Sequence, residues 1–423
     1  MALTLRSVGA PVRNPSRPPL SPEVAALLNA TGLSRRTLMR GLLAGGAFMA
    51  TGGALAACGT KPVKKPEASG SPACIGTDAS ATEKKINFSN WPLYMDVDKN
   101  DEKKRPTLDA FQTKTGITVS YNEDVNDNNE FFGKVRHQLQ ACQSIDRDIM
   151  VLTDWMASRV VGLGWVQPFD NSKTPNFTKN VLATLRNRPW DKDMNHAAPW
   201  QSGLTGMAYN AKVTKEIRTV DELLTRPDLK GKVAVLAEMR DTMGLILLAM
   251  GKDPADVSEA DFDAGIEKLK KAVDSGQIRK FTGNDYKEDL AKGDLAACVA
   301  WSGDIIQLAA EDGNIKFVTP ESGLMLWSDN IVIPSSATHK ANVEQLIDYY
   351  YDPKVAAELA AYVNFICPVQ GAQEAMRQID PELADNPLIF PDAGTLGKVH
   401  AFKPMTEAED KRFAAKFEAV SGA

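Results

Sequence analysis

From Lys85 onward, short apolar runs alternate with segments whose apolar positions recur at close to helical spacing. KINFSN (85–90) reads as a strand entering the polar loop Asn90-Trp91, RPTLDAFQTKTG (105–116) as a helix closed by Gly116, and ITVSY (117–121) as an alternating strand. NNEFFGKVRHQLQAC (128–142) places Phe131, Val135, Leu139 and Cys142 on one helical face. DIMVLTD (148–154) reads as a buried strand with the helix WMASRVVGLG (155–164) after it. This β-α-β-α-β succession predicts a parallel sheet covered on both faces. A second α/β unit opens near residue 201, with strands KVAVLAE (232–238), LAACVAWSGD (295–304) and IKFVTP (315–320). Its helices are DTMGLILLAMG (241–251) and DFDAGIEKLKKAVDSG (261–276). The long apolar stretch LMLWSDNIVIP (324–334) is placed to cross back, and the helices ANVEQLIDYYYD, PKVAAELAAYVN and EAEDKRFAAKFEAV follow it. The pattern therefore predicts two lobes, 84–200 with 328–370 and 201–327 with 371–423. Such sheets bind ligands outside the carboxyl ends of their strands, which puts the expected site in the cleft between the lobes.

The first 83 residues follow a different logic. Ser-Arg-Arg-Thr-Leu-Met (34–39) precedes the Gly/Ala-rich run GLLAGGAFMATGGALAA, which resembles a twin-arginine export signal. The run spans residues 41–57, short of the roughly 20 apolar residues a spanning helix needs. It ends in Leu55-Ala56-Ala57-Cys58, which resembles a bacterial lipobox whose cysteine thiol is acylated. Residues 1–57 thus read as a signal peptide and Cys58 as the lipidation site. The segment 58–83, rich in Pro, Gly, Ser and Ala, reads as a flexible tether. The expected address is the outer face of the cell membrane, in an envelope of the Gram-positive or actinobacterial type.

Charge sharpens this picture slightly. The formal net charge is −5, but residues 1–57 hold six of the 49 basic residues and one of the 54 acidic ones. The remainder carries 43 basic and 53 acidic side chains, a net of −10, which argues against nucleic acid and fits a cationic ligand. Cys74, Cys142, Cys298 and Cys367 allow three connectivities outside the cell, and at most two bridges are expected. No CxxC, no His/Cys cluster, no nucleophile elbow, no HExxH and no phosphate loop is present, so neither a metal, a cofactor nor an enzymatic activity is expected. What recurs is an aromatic or a carboxylate where a strand ends: Trp91 and Tyr94, Asp154 and Trp155, Glu238 and Asp241, Trp301, and Trp327 with Asp329. Carboxylates complement cationic groups, and flat aromatic walls complement apolar or cationic surface.

The stretches NWPLY (90–94), DIMVLTDWM (148–156), LKGKVAVLAEMRDTMG (229–244), VAWSGD (299–304), LWSDNIVIPSSA (326–337) and FPDAGT (390–395) keep a specific order. Together they resemble the polyamine-binding (spermidine/putrescine) family of ABC-transporter substrate-binding proteins, over about four-fifths of the chain. The resemblance implies a two-lobed type II periplasmic-binding-protein fold and a monomer that hands a polyamine to a permease and its ATPase. It implies that Trp91, Tyr94, Thr153 and Trp155 line one side of the ligand, that Glu238 and Asp241 receive an amine, and that Trp301 and Trp327 sandwich the methylene chain beside Asp329. Pro92 replaces a residue that is usually polar; Phe365 stands where a tyrosine hydroxyl is common and Phe402 where a glutamine is expected, so one end of the site has lost hydrogen-bonding groups. Competing readings are a binding protein for another cationic solute or a ferric complex, and a secreted hydrolase using the acidic pair. Plainer readings stand beside these: a strand-end tryptophan as core, Glu238 and Asp241 as a solvated first helical turn, and Asp154 as a helix N-cap. Tyr349-Tyr350-Tyr351 lies in a helical pattern that favours packing over iron binding, and Cys298 and Cys367 read as structural.

Overall fold

Strands buried on both faces lose the alternation of polar and apolar positions and become continuous apolar runs. Three such runs, IMVLT, VAVL and ACVAW, form inner strands of a ten-stranded sheet. The structure is a computed structural model that describes residues 74–186, 188–403 and 405–422. In chain order the strands are β1 (Lys85–Asn90), β2 (Thr118–Glu123), β3 (Ile149–Thr153), β4 (Ala197–Asn210) and β5 (Val233–Leu236). They continue with β6 (Ile278–Thr282), β7 (Ala297–Trp301), β8 (Ile315–Val318), β9 (Leu324–Val332) and β10 (Val399–His400). The sheet order is β2-β1-β3-β9-β4-β7-β5-β6, with β10 beside β9 and β8 beside β4.

Two parallel triplets, β2-β1-β3 and β7-β5-β6, flank the antiparallel pair β9 and β4. The beginning of β4 (Ala197, Ala198) pairs with the end of β9 beside β3, whereas Thr205–Tyr209 pair with β7. Both strands therefore run from one triplet to the other. The crossing of β9 agrees with the sequence pattern. The boundary placed at 200/201 does not mark an element border, because those residues lie inside β4, a single strand of 14 residues.

Two cores flank the crossing. One gathers Ile86, Phe88, Met150, Trp200 and Ile331, the other Met207, Val235, Leu247, Val299 and Phe413. The segment 372–384, grouped from sequence with the second lobe, buries Ala372, Met376 and Ala384 in the first core. The tether is also shorter than its composition suggested. Gly76 N–H donates to the Ser335 carbonyl at 2.8 Å and Ala79 N–H to that of Thr338 at 2.7 Å, while Cys74 is bonded to Cys142. A Cβ at Gly76 would lie 2.5 Å from the Ala337 carbonyl, so this docking needs glycine. Cys142 does not continue the helical face: the helix ends at Gln140 and Cys142 sits at φ 56°. Cys298 and Cys367 are free and buried. The signal peptide, Cys58 and the tether up to residue 73 lie outside the described residues.

Candidate functional site

The carboxyl ends of β1, β3, β5 and β7 converge on one cleft of about 1200 Å³, whose floor is the middle of β9. All ten ligand-contact candidates line it. Trp91 and Tyr94 follow β1, and Leu93 between them adopts φ 58°, which turns the loop back on itself. Thr153 ends β3, Trp155 stands in the first turn of the helix Asp154–Gly162, and Trp301 ends β7. Glu238 and Asp241 open the helix Met239–Ala249. Trp327 and Asp329, two residues apart, share one face of β9. Phe365 enters after Asn364, which ends the helix Pro353–Val363 in the left-handed conformation. Phe402 also lines the cleft, so the hydrogen-bonding groups the sequence lacks at these two positions are lacking in the wall itself.

The aromatic side chains form a continuous wall. Ring centroids step from Trp91 to Trp301 at 6.5 Å, from Trp301 to Trp327 at 6.3 Å, from Trp327 to Phe365 at 5.4 Å and from Phe365 to Tyr94 at 5.2 Å. Every step is edge to face. Trp301 and Trp327 meet at 73°, so they form a corner of the wall. Their N–H groups are held inside the protein: Trp91 donates to the Val151 carbonyl at 3.1 Å, Trp301 to Asp241 at 2.8 Å and Trp327 to the Thr205 hydroxyl at 3.1 Å. The rings are thereby fixed, with π faces left for apolar or cationic partners. Two glycines make room. A Cβ at Gly203 would overlap the Trp327 ring, and one at Gly303 would lie 2.7 Å from the Phe365 ring.

Three carboxyls of the cleft are held in an unusual state. Burial pushes Asp241 up to about 6, against the pull of the Trp301 N–H and the Thr205 hydroxyl. Burial pushes Asp329 up to about 7, partly offset by the hydroxyls of Thr153 and Tyr94 and reinforced by Asp154 and Asp241. Thr153 donates to Asp329 at 2.7 Å, whereas the Tyr94 hydroxyl, buried beside it, does not reach hydrogen-bond geometry. Glu238 rises to about 8, chiefly through burial, with Arg240 opposing and Asp241 and Asp127 adding to the rise. Neither Asp241 nor Asp329 makes an ion pair among the described residues. Buried carboxyls without a counter-cation are the chemical complement of an ammonium group.

Other candidates turn out to be committed elsewhere. Asp154 does not cap its helix, since Thr153 holds the N-cap position; its carboxylate accepts from Arg188 at 3.2 Å and from the Asn330 amide at 2.7 Å. Thr153 also receives the Asn128 amide at 2.8 Å, so it positions Asp329 and has little hydroxyl capacity left for a ligand. The three tyrosines pack into the first core, with Tyr349 donating to the Thr107 carbonyl and Tyr351 to that of Pro199. Asp304, which sequence reasoning passed over, reaches the cleft but is neutralised by Lys287 at 3.1 Å. The more consequential omission is Arg240, flanked in sequence by the two acids. Its guanidinium lies 4.0 Å over the Trp155 ring, bonds Asp410 at 2.6 Å and approaches Glu238 at 3.8 Å. Glu238 also caps the helix by accepting from Arg240 N–H at 3.3 Å. The expected acidic pair is thus divided: Glu238 faces a cation of the protein, whereas Asp241 accepts the Trp301 N–H and makes no ion pair among the described residues. Among the described residues, no group of three His, Cys, Asp or Glu side chains could hold a metal ion.

Residues 107–391 match the family described as bacterial extracellular solute-binding protein. The chain is 28% identical over 350 residues to the putrescine-binding periplasmic protein PotF of Escherichia coli, covering 78% of this chain and 89% of that one. It is 26% identical over 294 residues to the spermidine/putrescine-binding periplasmic protein 1 of Haemophilus influenzae, covering 69% and 79%. Among solved structures, a putative spermidine/putrescine ABC transporter protein of Listeria monocytogenes superposes with a TM-score of 0.69 at 24% identity, covering 80% of this chain and 99% of that one. The TpPotD lipoprotein of Treponema pallidum gives 0.66 at 19%, covering 80% and 100%. These likenesses agree with the two-lobed type II periplasmic-binding fold.

Proposed function

We propose that this chain, which belongs to the family of bacterial extracellular solute-binding proteins, captures a polyamine of the putrescine or spermidine type in its cleft and presents it to an ABC permease. The observation that carries this reading is the pair Asp241 and Asp329, two buried carboxyls that make no ion pair among the described residues, set against the aromatic wall of Trp91, Trp301 and Trp327. Each ammonium brought to such a carboxylate contributes about 1.5–3 kcal/mol, and each indole face up to about 2 kcal/mol. Two of each give about 7–10 kcal/mol before ordering costs, the scale on which a micromolar complex, at roughly 8 kcal/mol, is built. Asp329 belongs to the half of β9 paired with β3, Asp241 to the second core's side, so a ligand touching both favours the closed arrangement of the lobes.

The extracytoplasmic address and the lipid on Cys58 belong to the same proposal and rest on the amino-acid sequence. An anchor would keep the protein at high local concentration beside its permease. A hydrolase using Glu238 and Asp241 is disfavoured, because Glu238 is occupied by its helix and by Arg240. A ferric site built on Tyr349–Tyr351 is disfavoured because those side chains pack away from the cleft. Calorimetric titration of the purified protein with putrescine, spermidine, ferric citrate and amino acids tests the assignment. Micromolar binding of at least one polyamine is expected; heat only with another solute would overturn it.

A further inference from the structure

Several cations line the cleft, and Arg240 is the one seated against both an indole ring and two carboxylates. Arg240 places its guanidinium 4.0 Å over the Trp155 ring, within 2.6 Å of Asp410 and 3.8 Å of Glu238. An indole face and two carboxylates are what the terminal ammonium of a long polyamine would need, and here the protein fills that place itself. The arginine side chain is only 14% exposed, so it is seated in the wall and does not wave in solvent. Trp155 belongs to the first core's side and Arg240 to the second, so the contact also spans the cleft.

We propose that Arg240 sets ligand length: it occupies the end of the cleft beyond Asp241, so that a diamine is accepted and a triamine, whose third ammonium would meet the guanidinium, is disfavoured. This rests on the polyamine reading above. Size cannot be the filter, because about 1200 Å³ exceeds the roughly 300–1,000 Å³ of ordinary small-molecule pockets. Charge can be. Arg240 shares its part of the wall with Arg159, which lies 4.4 Å over Phe132. A triamine laid along the aromatic wall has two options. Its third ammonium displaces Arg240 from Trp155 and Asp410, or it stays beside the guanidinium, whose nearest carboxylate, Asp410, is already taken. Either option lowers affinity, and a diamine ending at Asp241 meets neither.

The test compares putrescine with spermidine by calorimetry on the wild type, Arg240→Met, Arg240→Lys and Asp410→Asn. The wild type should favour the diamine. Arg240→Met, which keeps the stem and removes the charge, should shift the spermidine-to-putrescine affinity ratio at least tenfold toward spermidine. Arg240→Lys should retain the wild-type order. Asp410→Asn, which strips the guanidinium of its closest counter-charge, should move the ratio the opposite way from Arg240→Met, and it decides the matter if Arg240→Met shows no cooperative melt. A wild type that prefers spermidine, or a folded Arg240→Met with an unchanged ratio, would overturn the proposal. So would tighter binding of 5-aminovalerate than of putrescine, lost in Arg240→Met, since Arg240 would then be a carboxylate anchor. If no amine binds the wild type at all, the polyamine reading itself fails.

Discussion

Amine binding to this cleft should release protons, and the amount follows from the site. Without ligand, Asp241 titrates near 6 and Asp329 near 7, both lifted by burial. An ammonium requires each of them ionised and brings them back toward the ordinary carboxylate range. At pH 6, Asp241 is then half protonated and Asp329 about nine-tenths protonated, so a bound diamine displaces about 1.4 protons. With full coupling, affinity falls about 20-fold from pH 8 to pH 6 and on the order of 10³-fold by pH 5. Aliphatic amines with pKa values near that of lysine stay charged over this range, so the ligand does not cause the loss. Calorimetry at pH 6 in two buffers of different ionisation enthalpy counts the protons directly. Asp329→Asn should remove about 0.9 of them. The same groups act on the fold. Their folded values lie above their unfolded ones, so their stabilising contribution is present below about pH 4 and lost as pH rises through 6 to 8. A saturating diamine should therefore raise the melting temperature more at pH 8 than at pH 5. No proton release, with affinity flat between pH 5 and 8, would refute the pairing of these carboxyls with the ligand.

Asp241→Ala should weaken diamine binding at least tenfold, the loss of about 1.5–3 kcal/mol, with a melting temperature at or above the wild type; unchanged affinity in a titration removes Asp241 from the site. Gly203→Ala drives a methyl into the Trp327 ring and should cost about 1–3 kcal/mol in denaturant unfolding together with most of the amine affinity, whereas a silent substitution would show that the ring is free to move. Cys142→Ser opens a loop of sequence separation 68 and should cost about 2–4 kcal/mol, read as a lowered urea midpoint that reductant reproduces in the wild type.

Much of the fold was legible because parallel strands announce themselves as apolar runs flanked by amphipathic helices. The strand β4 was not, and its residues show why. AAPWQSGLTGMAYN is buried almost throughout, so it has no alternation, and Pro199, Gly203 and Gly206 read as breakers. Two of those glycines are instead demanded by neighbours, Gly203 by Trp327 and Gly206 by Phe317. The docking of 74–83 was hidden for a related reason: backbone hydrogen bonds and one disulfide hold it, and composition records neither. In the site, the residues at strand ends were readable because strand ends are where a parallel sheet presents side chains to a ligand. What each carboxyl does was not. Glu238 and Asp241 look equivalent in sequence, and only the seat of Arg240 between Trp155 and Asp410 separates them. Thr153 likewise changes from ligand contact to support for Asp329 once Asn128 is seen to hold it.

A crystal structure of the protein with putrescine would locate the diamine itself. One ammonium should lie within hydrogen-bond reach of Asp329, the other at Asp241, and the methylenes on the faces of Trp301 and Trp327. A diamine bound at Glu238 and Asp410 with Arg240 expelled, or electron density for it only outside the cleft, would contradict that placement.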